Sequence, residues 1–128
     1  YSFDTGFVTF VKGWGSIREE DRGLLWEHLV LDTLRTTVDD HRLFYWRDKS
    51  GREVDFVIIG GRQQSDAIEC KINPDHFAPA HLAIFRSLYP GGKNYVVSPN
   101  IKSSYERRYE KLKVDFISIR QIYDLKAR

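Results

Sequence analysis

The run Val54-Asp55-Phe56-Val57-Ile58-Ile59 puts apolar side chains on both faces of any strand it forms. Such a strand belongs in the middle of a sheet covered on both sides, so helices should flank the sheet. Asp55 is a charge inside this run, and a buried carboxylate is costly unless it is paired or binds a metal. Regular alternation puts Asp55 on the face of Val57 and Ile59.

The flanking sequence supplies the rest of a sheet. Phe44 to Arg47 has strand composition, Asp48-Lys49-Ser50-Gly51 is a turn signal, and Glu53 to Ile59 returns as the second strand. Gly60-Gly61 and Arg62 to Ser65 form another turn, and Ala67 to Ile72 is a third strand. Together these predict an antiparallel meander. A helix follows over His76 to Leu88, with Pro79 early in it, and Pro90-Gly91-Gly92 ends it. Asn94 to Ser98 is a fourth strand, and the crossover helix makes it parallel to the third. Ser103 to Lys113 is polar and reads as helical or irregular. Val114 to Ile119 is a last strand, and Arg120 to Leu125 starts a short helix. Upstream, Glu19 to Val38 is a helix whose Leu24, Glu27, Leu31 and Leu34 share one face beside Val30. Before it, Phe7 to Val11 reads as a short strand, and Gly13, Gly15 and Ser16 as a loop.

Several classes of protein are set aside at this point. The chain has 128 residues, 41% hydrophobic and 30% charged, which suits one globular domain over 1–128. No run is long enough for a membrane span, and the first residues lack the basic start and apolar core of a signal peptide. A single cysteine, Cys70, precludes an internal disulfide and suits a reducing, cytoplasmic setting. The formal charge of +2 neither favours nor disfavours nucleic acid. The histidines lack zinc-ligand spacing with cysteine. Gly91-Gly92-Lys93 lacks the spacing of a phosphate-binding loop, so no ATP site is expected here. The chain opens on Tyr1 and has no methionine, so it is expected to be a matured or excised piece of something longer.

The chemistry gathers around the buried aspartate. In the third strand Glu69 and Lys71 project side by side, and Cys70 points the other way. Pairing of strands two and three brings Asp55 and Glu69 together at one end, and Glu27 from the helix can close over them. Three carboxylates in an apolar setting repel one another, and a hard divalent cation resolves this, because magnesium takes one or two carboxylates plus waters. A lysine beside the metal positions an attacking water or stabilises charge developing on a phosphate. A plainer arrangement pairs Lys71 with Glu69 or Asp55 in an ion pair without catalysis. Cys70 packs as a small apolar residue. Tyr105 to Lys113 interleaves basic and aromatic residues, which suits either a phosphate backbone or a solvated helix face.

Asp55, then Glu69-Cys70-Lys71, preceded by helical Glu27, resembles the PD-(D/E)XK nuclease superfamily, and the order of elements matches its restriction-endonuclease-like αβββαβ core. The chain is also similar, over nearly its whole length, to the C-terminal domain of unknown function carried by many prokaryotic AAA-type ATPases. The matching stretches are Phe3-Asp4-Thr5-Gly6, Gly23-Leu24-Leu25-Trp26-Glu27, Phe44-Tyr45-Trp46-Arg47, Gly51-Arg52-Glu53-Val54-Asp55-Phe56 and Ala67-Ile68-Glu69-Cys70-Lys71. Val54 stands where the superfamily's pattern has proline.

The resemblance implies an α/β fold with a mixed four- to five-stranded sheet. It implies Mg²⁺, replaceable by Mn²⁺, held by Asp55, Glu69 and the backbone carbonyl of Cys70, with Glu27 binding directly or through water. Lys71 is then the catalytic lysine, DNA the substrate, and an upstream ATPase domain the partner. The expected activity is hydrolysis of DNA phosphodiester bonds; the alternative is a catalytically inactive domain that binds nucleic acid or a partner for the ATPase.

Overall fold

Asp48 organises the first hairpin. Its Oδ1 accepts the Ser50 and Arg52 amides at 2.9 and 3.0 Å, and its Oδ2 accepts Arg52 Nε at 2.7 Å. Gly51 takes the left-handed φ of 84° that this turn needs. The turn joins β1 (Leu43–Arg47) to β2 (Glu53–Ile59), and a second turn leads to β3 (Ser65–Cys70). The computed structural model describes residues 19–127. The expected strand at 7–11, the loop at 13–16 and the Phe3-Asp4-Thr5-Gly6 stretch lie outside them.

The remaining described elements are α1 (Glu19–Thr37), α2 (Ala80–Leu88), β4 (Asn94–Val97), β5 (Tyr105–Tyr109), β6 (Leu112–Ile117) and a closing 3-10 helix (Ile119–Ala127). Strands β1, β2 and β3 form the expected antiparallel meander. Strand β4 runs parallel to β3, as the crossover α2 requires. The sheet order is β1-β2-β3-β4-β6-β5, so β2, β3 and β4 are central. No helix among the described residues is long and apolar enough to cross a membrane.

Both faces of the sheet are covered, as the apolar second strand demanded. On one face Trp26, Val30 and Leu34 of α1, and Val38 just beyond its end, pack with Phe56, Ile58, Ile68, Val97 and Ile122. On the other, Leu82 and Phe85 of α2 pack with Val57, Ala67, Val96 and Phe116. Each fully buried large side chain here contributes roughly 1.5–3 kcal/mol. Trp26 also anchors α1, because its indole N–H donates to the Val97 carbonyl at 3.0 Å.

The architecture is the α/β class with the expected αβββαβ order, and four local expectations are corrected. The sheet has six strands rather than four or five, because Ser103 to Lys113 is not helical: Tyr105–Tyr109 is an edge strand paired with β6. Tyr105 stacks on Phe116 with centroids 4.9 Å apart, and Tyr109 meets Phe77 edge-on, so strand alternation turns both half-buried tyrosines inward beneath a charged exterior. The buried stripe of α1 runs through Trp26, Val30, Thr33 and Leu34 and on to Val38, so Leu24 is exposed while Glu27 and Leu31 flank the stripe half-buried. The helix expected from His76 begins at Ala80: Pro79 disfavours helical geometry at Ala78, and Asn73 caps a separate 3-10 turn at Pro74–His76. Finally, the β1–β2 register slips, so that Asp55 and Phe56 together oppose Tyr45. Val54 and Val57 consequently pack in the same cluster, and Asp55 sits in this irregular step rather than in regular alternation with Val57 and Ile59.

Candidate metal centre

The β2–β3 ladder runs from Ile59 opposite Ser65 to Phe56 opposite Ile68. Beyond that pair, side chains take over the backbone's partners. The Asp55 amide donates to Glu69 Oε1 at 2.9 Å, and the Cys70 amide donates to Asp55 Oδ2 at 2.8 Å. Each carboxylate thus grips the other strand's main chain, which satisfies two amides that would otherwise be orphaned. The second oxygen of each carboxylate takes no hydrogen bond from a described residue.

This fork is electrostatically loaded. Glu69 is 8% exposed, and burial first, then the Asp55 charge, push its carboxyl up to about 8. Burial also raises Asp55, against the Cys70 amide and the Lys71 charge, which favour its ionised form. Glu27 is raised by burial, then by Asp55 and Glu53. Burial pushes the Cys70 thiol well above its usual range, with Asp55, Glu27 and Glu69 adding to it, so the thiol is no nucleophile.

The structure therefore brings Asp55, Glu69, Lys71 and Glu27 into one neighbourhood. Lys71 is half-buried on the segment leaving β3, where its amide donates to the Val97 carbonyl at 3.1 Å. That carbonyl also receives Trp26, so one acceptor fixes the approach of both α1 and Lys71. Lys71 makes no ion pair with a described residue, so the closed Lys71–carboxylate pair is not formed. Its charge nonetheless favours ionised Asp55 and Glu69.

Sequence reasoning passed over Glu53. Glu53 adds its charge to Glu27, Asp55 and Glu69, raising all three. It sits opposite Arg47 in the hairpin, and Glu53 Oε2 accepts from both Nε and Nη2 of Arg47 at 3.0 and 2.7 Å. The signal was available, since closing the Asp48–Arg52 turn sets residues 47 and 53 face to face. His81 of α2 also reaches this corner, its Nδ1 accepting the Glu53 amide at 3.4 Å. A hollow of about 590 Å³ beside Arg86, Lys93, Tyr109 and Lys113 lies apart from these groups.

Among the described residues, no three His, Cys, Asp or Glu side chains are placed to hold one ion together. The chemistry of the fork still suits a hard divalent cation. Magnesium asks for one or two carboxylates and completes its shell with water. Asp55 and Glu69 each keep an oxygen without a described donor, and a cation would relieve the repulsion that raises Glu69. The Cys70 main chain is adjacent, its amide being held by Asp55.

Comparison with known proteins speaks to the family and the fold. No curated protein sequence matches the chain. Among solved structures, the chain resembles one in the refined half-complex from a tetradecameric assembly of Thermococcus gammatolerans McrB AAA+ hexamers with bound McrC. The TM-score is 0.51 at 13% identity, covering 75% of this chain and 27% of that one. The likeness is one of fold, and this chain spans about a quarter of its neighbour's length. Residues 22–122, a span that includes all four acids and Lys71, match a single family model, and the chain belongs to that family, the domain of unknown function DUF4143.

Proposed function

We propose that this chain is a restriction-endonuclease-like domain of the PD-(D/E)XK type that hydrolyses DNA phosphodiester bonds with Mg²⁺ or Mn²⁺. The observation that carries this is the fork: Asp55 and Glu69 at the splayed end of two central strands, Lys71 two residues on, and Glu27 arriving from α1. Asp55 and Glu69 would hold the metal, with the Cys70 carbonyl as third protein ligand and Glu27 completing the shell or a second position. When bound, the metal polarises the phosphoryl oxygen and lowers the pKa of a coordinated water.

The chain's own groups do the rest. Lys71, unpaired with any described residue, is free to orient the attacking water and to stabilise charge developing on the phosphate. Glu27, where it meets the metal through water rather than directly, can accept the proton that the attacking water loses. The fold neighbour's assembly of McrB AAA+ hexamers with McrC favours a working context beside an ATPase, as does the resemblance to ATPase-borne domains. On this reading the domain acts in the cytoplasm.

Incubation of plasmid and single-stranded DNA with the chain in Mg²⁺ or Mn²⁺ tests the reading. Cleavage is expected that chelator abolishes and that Lys71→Ala reduces by roughly 100-fold or more, the loss associated with removing one preorganised electrostatic group. No cleavage by the chain under either metal overturns it. One observation favours a second reading, a non-catalytic regulatory domain that binds nucleic acid or a partner. Asp55 and Glu69 already have a structural task, each capping a strand amide, which a relic site would retain.

A further inference from the structure

The edge strand β1 exposes Phe44 and Tyr45, by 52% and 75% of their surface. A hollow of about 410 Å³ lies against them, lined also by Leu31, Arg35, Asp40, Leu43 and Phe56. Its size and its mostly apolar walls with a few polar groups are those of a small-ligand site. None of the clustered acids lines it, but its walls are their neighbours along α1 and across the sheet. Along α1, Glu27, Leu31 and Arg35 follow at four-residue spacing and so form one stripe. Across the sheet, the register slip sets Asp55 and Phe56 together against Tyr45.

We propose that this hollow accepts a base of single-stranded DNA whose phosphodiester lies over the acid cluster, with Tyr45 as the stacking platform. The proposal rests on the nuclease reading and adds the substrate class. Aromatic faces interleaved with arginine are the chemistry that binds unpaired nucleotides: the ring stacks on a base and the cation meets the phosphate chain. Arg35 supplies that cation within the hollow, and exposed Arg47, two residues along β1 from Tyr45 and held by Glu53, lies toward the acids. In a duplex the bases are already stacked and paired, so such a hollow is engaged only by an unpaired nucleotide. A protein partner added along the edge strand would need neither the arginines nor the adjoining acids.

The test is binding of 2-aminopurine-labelled, phosphorothioate-linked oligonucleotides, which resist cleavage, to the full 128-residue chain in Mg²⁺, where the cation offsets the charge of the acids. Single-stranded DNA is expected to bind more tightly than the same sequence as a duplex, with stacking quenching the 2-aminopurine fluorescence. Tyr45→Ala should weaken single-strand binding by roughly 5- to 150-fold and abolish the quenching, whereas Tyr45→Phe should keep both. Tyr45 is mostly exposed, so neither change opens the core. Unchanged binding by Tyr45→Ala, equal binding of the duplex, or absence of quenching, as a protein-docking strand predicts, overturns the proposal. Normal binding and quenching without cleavage of unmodified DNA in Mg²⁺ or Mn²⁺ overturns the nuclease reading instead and leaves the base site standing.

Discussion

Glu69 has an ordinary carboxyl value of 4.5 and is held at about 8 in the fold. The sign of the consequence follows from proton counting. Between those values the folded chain keeps a proton that the unfolded chain has released, so metal-free stability falls as pH rises across that window. Below it both states are protonated and nothing is lost; above it both are ionised and the full penalty stands. Asp55, raised by the same burial, contributes with the same sign. Glu69→Gln keeps a side-chain oxygen for the Asp55 amide and cannot ionise. It should be more stable than the wild type at pH 8 by several kcal/mol, since the window from 4.5 to about 8 spans more than three pKa units of about 1.4 kcal/mol each, and should lose that advantage toward pH 5. Urea denaturation at pH 5, 6.5 and 8 reads the difference, and a gap that stays constant with pH would show that Glu69 titrates normally.

Among the elements, the crossover from β3 through α2 to β4 carries the fold's main long-range closure, and Arg86 fastens it. Its guanidinium donates to Asn94 Oδ1 at 2.6 Å and to the carbonyls of Ser65, Gly91 and Lys93 at 2.7, 2.8 and 2.7 Å. Gly92 is needed beside it, because φ is 127° and a β-carbon would run into the Ser65 carbonyl. Lysine cannot reproduce that fork of donors, so Arg86→Lys should cost about 1–3 kcal/mol, read as a lower urea midpoint with unchanged slope. The crossover was legible because hydrophobic runs, Pro79 and Pro90-Gly91-Gly92 all mark it. Arg86 was not, since nothing local distinguishes a stapling arginine from a solvated one. Strand β5 escaped for a related reason: Tyr105, Arg107 and Tyr109 alternate as a strand should, but the charges between them mimic a solvated helix. The buried stripe of α1 was displaced because leucines were weighed above Trp26, whose bond to Val97 sets the helix's rotation. Asp55, Glu69 and Lys71 were legible as a group because the β2–β3 turn fixes which strand ends meet, and Glu27 because it breaks an apolar helical stripe. The bulge that opposes Asp55 and Phe56 to Tyr45 carries no glycine or proline to announce it.

At the scale of the whole molecule, the sheet order sets the fork between two interior strands, with α1 over one face and α2 over the other. A ligand held by Asp55 and Glu69 joins β2 to β3 and finds no such site in the unfolded chain, so its binding energy becomes folding stability. At a free Mn²⁺ concentration about 100 times its dissociation constant, the gain is about 2.7 kcal/mol, equivalent to roughly 10 °C in Tm for a domain of this size. Binding also displaces the proton from Glu69, so the shift should grow from pH 6 to pH 8. Asp55→Asn is the informative control: it keeps an oxygen for the Cys70 amide and removes the charge. The expected result is a Mn²⁺-dependent rise in the wild type that increases with pH and a flat response in Asp55→Asn. An equal rise in both proteins would place the ion elsewhere on the molecule. No rise in either would leave Asp55 and Glu69 as caps on two strand ends, a fork that stores a proton rather than a metal.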